Sequence, residues 1–336
     1  MIFLKNDYGL GAHPKVMDAL NATNMEYADG YGVDPHCKKA AEKIQQITGF
    51  SHSQVHFLPG GTLTNLTAIA AFLRPHQAVI SAKTGHICVH ETGAIEATGH
   101  KIIHVPSEDG KLTPGDIREV MVFHEDEHYV IPKLVYVSNT TETGNVYTKG
   151  ELLALRKVCD EYGLLLYLDG ARIAMALTAD INDLSLTDLP KIFDIFYLGG
   201  TKNGILFGEA LVLVNPALME DFRFLLKQRG GMMAKGRLLG VQFDAVFRDD
   251  LFLHMGAHAN KMAKMLAEGI RKKGYDFAQE PMSNLIFPIF PKKLVDELSR
   301  KVMFEGWRTY QDAAAIRLVT SWGTKEEEIQ AFLKLI

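Results

Sequence analysis

Cysteine is scarce in this chain of 336 residues: Cys37, Cys88 and Cys159 are the only three, and no two share a Cys-x-x-Cys spacing. An odd, scattered set excludes a disulfide framework and a thiolate metal cage, and it fits a reduced, cytoplasmic setting. Positive charge is not in surplus either. With 36 Lys and Arg against 40 Asp and Glu, the net charge is -4, so binding to a phosphate backbone has no electrostatic basis and nucleic acid is not expected as a partner. No apolar run reaches the length of a membrane span, and the start, Met1-Ile-Phe-Leu-Lys-Asn-Asp7, lacks the charged-then-apolar order of a secretion signal. A soluble, unprocessed protein with no membrane partner is expected. Repeats, low-complexity tracts and charge blocks are absent. Neither Gly-x-x-x-x-Gly-Lys-Ser/Thr nor Gly-x-Gly-x-x-Gly occurs, which disfavours a nucleotide phosphate.

What is present is an alternation. Helical periodicity at 13–20, 38–48, 62–73, 114–123 and 149–162 alternates with short apolar runs at 55–58, 78–81, 101–105, 133–138, 164–168 and 192–198. That pattern argues for an α/β fold with a mostly parallel sheet covered by helices on both faces. The run 210–214 follows its predecessor too closely for a crossover helix, so it is expected to pair antiparallel. Beyond Met255 the pattern becomes helix (258–273), strand (285–290), helix (293–304), strand (315–320) and a terminal helix. The length supports two units: a large domain over 1–250 and a small C-terminal α+β domain over 251–336, with the extreme N-terminus packing beside the small one.

Two apolar runs end in a functional group next to glycine. Asp169 closes Leu164-Leu-Leu-Tyr-Leu-Asp-Gly-Ala-Arg172, and Lys202 lies 33 positions on (202 minus 169) in Tyr197-Leu-Gly-Gly-Thr-Lys-Asn-Gly204. A carboxylate and an amine delivered to one sheet edge suit pyridoxal 5'-phosphate. The lysine would form the Schiff base, and the carboxylate would keep the pyridine nitrogen protonated as an electron sink. Simple strand-end polarity is the competing reading for either residue alone.

Other residues gain meaning beside that pair. Pro59-Gly-Gly-Thr62 joins a strand to a helix, where Gly60, Gly61 and Thr62 can cradle a phosphate, although such a turn can also be plain. His86 follows another strand and can stack on a ring or move protons; His90, four residues on, is left without a role. His124-Glu-Asp-Glu-His128 has the zinc-peptidase letters, but the intervening acids and the strand that follows mark it as a solvated loop, so no metal is assigned. Arg172 and Arg317 have the guanidinium fork that grips a carboxylate, with surface ion pairing as the alternative. The polar stretch Asn139-Thr-Thr-Glu-Thr-Gly144 is expected to reach the same edge.

These residues together resemble the low-specificity L-threonine aldolases, the pyridoxal-phosphate enzymes of fold type I grouped with aromatic amino acid β-eliminating lyases. The carriers run nearly end to end: Phe3-Leu-Lys-Asn-Asp-Tyr8 with His13-Pro14, Tyr31-Gly-Val-Asp-Pro35, Pro59-Gly-Gly-Thr62, Thr84-Gly-His-Ile87, His90-Glu-Thr-Gly-Ala-Ile-Glu96, Leu168-Asp-Gly-Ala-Arg172, Gly199-Gly-Thr-Lys-Asn-Gly204 and Arg317-Leu-Val-Thr-Ser-Trp322. The resemblance implies a seven-stranded sheet, Lys202 as the Schiff-base lysine, Asp169 under the pyridine nitrogen and His86 over the ring. It also implies Gly60, Gly61 and Thr62 as the phosphate loop, and Arg172, Arg317 and Asn6 at the substrate, with Arg172 at the cofactor as well. Tyr31 would enter from a neighbouring subunit of a homodimer or homotetramer, and the segment from Gly230 to Arg237 would lie close to that contact. The chain departs from some members in having Thr141 where they carry a second histidine.

The activity implied is cleavage of L-threonine, L-allo-threonine and related β-hydroxy-α-amino acids to glycine and an aldehyde, with His86 as candidate base for the β-hydroxyl. The alternative is β-elimination from an aromatic or otherwise β-substituted amino acid, with Lys202 as the base. A pyridoxal-phosphate carrier without turnover has no sequence feature in its favour.

Overall fold

Continuous apolar strands such as those found above need cover on both faces, and the chain supplies it. The computed structural model describes residues 1–336. Its strands are β1 (Ile2–Phe3), β2 (Gln54–Leu58), β3 (Gln77–Ala82), β4 (Lys101–Val105), β5 (Ile131–Ser138), β6 (Leu165–Asp169), β7 (Ile195–Gly199) and β8 (Glu209–Leu213), followed by β9 (Leu285–Ile286), β10 (Ile289–Pro291), β11 (Val302–Met303), β12 (Glu305–Thr309) and β13 (Ala313–Val319). A seven-stranded sheet runs in the order β2-β8-β7-β6-β5-β3-β4. Within it only β8 opposes the rest, being antiparallel to both β2 and β7.

Side chains leave these strands alternately to two cores. Ile80, Val137, Leu168 and Leu198 belong to a core of 44 residues on one face, whereas Val79, Tyr136, Tyr167 and Tyr197 belong to one of 17 on the other. A one-residue slip would exchange the two sets, so burial specifies the register. Each fully buried large side chain contributes roughly 1.5–3 kcal/mol. Helix ends are set locally: Thr113 with Asp116 and Thr148 with Glu151 form capping boxes, and Gly163 closes the second of these helices in the left-handed conformation.

The C-terminal elements are more broken than the periodicity suggests. The run 285–290 is two strands, β9 and β10, interrupted before Ile289, and the helix expected over 293–304 ends at Leu298, after which the chain turns into β11 and β12. The long helix, Leu251–Lys272, starts earlier than expected because Leu251, Phe252 and Met255 fill the larger core. Its later turns join a core of 14 residues that includes Leu4, and Ile2–Phe3 pairs in parallel with Val302–Met303. Helices Phe222–Gln228 and Arg237–Val246 have no counterpart in the sequence reading. No helix is long and apolar enough to cross a membrane.

Candidate active site

Strands β2, β3, β5, β6 and β7 all end at one edge, and β8, running the other way, delivers its first residue there. Across neighbouring strands Leu58 faces Glu209, Glu209 faces Gly199, and Ser138 faces Asp169. In a parallel sheet this is the edge where side chains converge on ligands.

Asp169 is buried there, and its carboxylate accepts four hydrogen bonds. Oδ1 takes the Tyr197 hydroxyl and the Ala171 N–H at 3.0 Å; Oδ2 takes the Tyr136 hydroxyl and Asn65 Nδ2 at 3.1 Å. Tyr167 donates to Asn65 Oδ1 at 2.8 Å and so turns the amide nitrogen toward the acid. Burial works against the charged form, but the field of His86 and the bonds from Tyr136, Tyr197 and Ala171 outweigh it, and Asp169 titrates below its ordinary value. The carboxylate is therefore ionised at neutral pH.

His86 opens a short helix, His86–Val89, just past β3. Its Nδ1 lies 2.8 Å from Glu91 Oε1, which also accepts from Asn65 Nδ2 at 2.7 Å. A carboxylate oxygen accepts, so this contact is made by the Nδ1–H form of the ring. Burial disfavours charging this ring, but the Glu91 bond and the fields of Glu142 and Asp169 prevail and raise its pKa above the ordinary value. Glu91 Oε2 is buried and has no partner.

Lys202 lies three residues beyond β7, half-buried, with its field felt by Asp7, His86 and Glu209. Two glycines allow its turn to approach that of Asp169. Gly199 donates to the Gly170 carbonyl at 3.0 Å, while a Cβ on Gly170 would collide with the Tyr197 carbonyl and one on Gly199 would sit 2.5 Å from the Ala171 carbonyl oxygen. Glu209 steadies the same turn, accepting from Gly200 N at 3.0 Å. Burial raises its pKa to about 7, against the opposing influence of Thr201, Gly200 and Lys202.

The helix Gly61–Phe72 begins at the neighbouring strand end with its first amides free, and Gly60 provides no side-chain cap. A Cβ on Gly60 would meet nothing within 4 Å, so the opening is unobstructed for an anion. Thr62 is exposed at this end.

The arginines are more committed than a pair of empty forks. Arg172 Nε and Nη2 contact Asp7 at 2.7 and 3.2 Å, leaving Nη1 turned toward Glu142 at 3.9 Å. Asn284 adds a bond to Asp7 at 3.0 Å, and although burial would raise the Asp7 pKa, Arg172 and Lys202 hold it below the usual range. Arg317 Nη2 contacts Glu305 at 2.6 Å across β12, and its buried Nε has no partner. Asn6 accepts from the Tyr8 amide at 3.1 Å, beside Asp7 in sequence. Tyr31 is not brought to this cluster: its carbonyl accepts from Arg223, and Lys227 lies 4.3 Å over its ring.

Residues 10–292 match the family described as Beta-eliminating lyase. The chain belongs to that family. A relative in Pseudomonas aeruginosa named low specificity L-threonine aldolase is 32% identical and is covered over 94% of its length by 98% of this chain. A solved structure of Leishmania major threonine aldolase is 46% identical with a TM-score of 0.99, covering 100% of this chain and 98% of that one. An aspartate aminotransferase mutant of Thermus thermophilus, 16% identical, covers 100% of this chain and 90% of its own at a TM-score of 0.74, so the fold is the type-I architecture that the family resemblance implied.

The cluster also holds residues to which the sequence reading gave no role: Asp7, Asn65, Glu91, Glu209 and three tyrosines. A signal existed for the tyrosines, since Tyr136, Tyr167 and Tyr197 interrupt apolar strands on the Asp169 face. Expectations for the stretch 139–144 need correction. Thr141 and Thr143 donate to the Asp109 carbonyl rather than facing the edge, because the loop folds back on a turn that also receives Asn145 Nδ2 at 3.1 Å. Only Glu142 points toward Arg172. Elsewhere in the lyase, His124 contacts the Val120 carbonyl at 2.8 Å at a helix end and the His128 side chain is 85% exposed. A cavity of about 480 Å³ lined by Thr178, Asn260, Lys264 and Arg271 contains none of the cluster residues.

Proposed function

We propose that this lyase cleaves L-threonine, L-allo-threonine and related β-hydroxy-α-amino acids to glycine and an aldehyde, with pyridoxal 5'-phosphate at the sheet edge. The observation that carries this reading is the buried, ionised Asp169 and the half-buried Lys202 on two turns joined at one sheet edge, in a chain whose relatives are named threonine aldolases. Bound there, pyridoxal phosphate supplies an electron sink for the bond that breaks at the substrate Cα.

The chain's own groups divide the remaining work. Lys202 offers Nζ for attachment of the cofactor aldehyde and for release of product. Asp169, ionised, would keep the ring nitrogen protonated through a charge-assisted hydrogen bond. Gly60, Gly61 and Thr62 hold the phosphate at the helix start. His86, held in orientation by Glu91, would lie over the ring. Arg172 Nη1, Arg317 and Asn6 hold the substrate carboxylate and so turn the Cα–Cβ bond out of the ring plane.

The large and small domains, divided near residue 250, would then close the site between them. Assembly as a homodimer or homotetramer is supported by the exposed apolar stretch holding Met25 (87% exposed), Tyr27 (105%) and Tyr31 (45%), with Tyr31 directed to a neighbour's site. The three free cysteines support a cytoplasmic setting.

The test is the visible spectrum of the purified protein and of Lys202→Ala, followed by addition of L-threonine. A bound-cofactor band absent from the variant, with acetaldehyde and glycine formed only by the wild type, is the expected result. Pyruvate and ammonia from a β-substituted amino acid, with no aldehyde, would make it an eliminating enzyme instead. No band after adding pyridoxal phosphate would overturn the reading altogether.

A further inference from the structure

The two imidazoles at the mouth of the site are only half used by the function above. The rings of His86 and His90 lie 5.4 Å apart, centroid to centroid, with His90 on the solvent side. The charged groups that act on His90 all belong to this mouth: Glu142 after β5, His86 on its own turn, Arg317 on β13 and Glu305 on β12. Glu142 is the neighbour of Arg172 and Glu305 the partner of Arg317, so His90 stands among the groups proposed to hold the substrate.

We propose that His90, rather than His86, accepts the proton of the substrate's β-hydroxyl, and that it thereby selects β-hydroxy-α-amino acids. This rests on the function proposed above. Glu91 occupies His86 Nδ1, and its attraction keeps that ring inclined to hold a proton. For His90 the balance is reversed. Partial burial of the ring, with the fields of His86 and Arg317, outweighs Glu142 and Glu305 and holds its pKa below the ordinary value. Two titratable groups whose surroundings push them apart divide into proton holder and proton acceptor. Thr141, the other polar group on the neighbouring loop, is tied to the Asp109 carbonyl and Thr143.

The step balances. The O–H bond breaks toward a ring nitrogen of His90, and the freed pair becomes the second C–O bond of the aldehyde. The Cα–Cβ pair stays with Cα, where a proton replaces the departing carbon. His90, being exposed, returns its own proton to water.

The experiment compares holoenzyme of the wild type and His90→Gln in two reactions: cleavage of L-threonine, and exchange of a Cα hydrogen of glycine in deuterium oxide. Glycine has no β-hydroxyl, so the second reaction reads cofactor and carboxylate binding without the proposed base. The expected result is a loss of about 10²-fold or more in threonine cleavage, flattening of the acid limb of its pH profile, and exchange within about twofold of wild type. An NMR titration of the histidines in the cofactor-free chain should show His90 deprotonating at lower pH than His86. Cleavage that stays near the wild-type rate, parallel loss of both reactions, or His86 titrating below His90 would overturn the assignment. A wild type that exchanges glycine but cleaves no threonine would defeat the aldolase function itself.

Discussion

Around Asp169 the polar groups are paired with one another almost throughout, whereas around Lys202 and His90 they are left more open to solvent. The floor joins Asp169, Asn65, Glu91, His86 and three tyrosine hydroxyls in one buried network with a single unpartnered oxygen, Glu91 Oε2. The rim consists of the half-buried Lys202, the exposed His90 and the pair of buried Arg317 with half-exposed Glu305. Low dielectric explains the difference: a buried polar atom without a partner costs more than the net worth of a hydrogen bond, so nearly every polar atom of the floor is paired. A rim bathed in water carries no such penalty and can keep groups free for a ligand. Rigidity and reactivity are therefore built into different layers of one edge.

The comparison can be broken most severely from below. Gly170→Ala should cost more than about 4 kcal/mol, since its Cβ collides with the Tyr197 backbone and separates the Asp169 and Lys202 turns; denaturant unfolding, or failure to obtain folded protein, measures this. Next comes Asp7→Ala, which leaves the Arg172 guanidinium buried without its partner, at an expected 3–5 kcal/mol, or roughly that range, by the same measurement.

Glu209→Gln sharpens the contrast through pH. Its carboxyl titrates at about 7 in the folded chain against 4.5 unfolded, so the native state binds the extra proton between those values and the wild type loses stability as pH rises through them. The glutamine can still accept from Gly200 N but does not titrate. Thermal melts should therefore show the variant gaining on the wild type by about 2–3 kcal/mol between pH 4 and pH 8. The smallest stability effect belongs to the rim. Glu305→Gln should change stability by less than about 1 kcal/mol because that ion pair is partly solvated, while the KM for L-threonine shifts through the freed Arg317.

Much of the site was legible because strand ends announce themselves. Asp169, His86 and Lys202 each follow an apolar run punctuated by glycine, and period and turn chemistry are local properties. Arg172 and Arg317 were visible as residue types but not as partners, since Asp7 and Glu305 reach them from 165 and 12 residues away in the chain. Glu209 was missed by one residue: the antiparallel run was read from Ala210, whereas β8 begins at Glu209 and so brings its carboxylate to the edge where the other strands end. Helix Arg237–Val246 was not singled out in the sequence, and only the structure shows that Leu239 through Val246 are all buried.

By itself, then, the sequence determined the alternation of strands and helices, the glycines that permit two turns to touch, and the acid, amine and imidazole at strand ends. These follow from backbone sterics and side-chain periodicity, which act over a few residues. Only the tertiary structure decided that Asp7, Asn65, Glu91 and Glu209 would meet them, and that Arg172 would be half occupied. Those contacts depend on register and on the packing of distant segments, where burial of apolar surface selects the arrangement and the polar groups must satisfy one another within it.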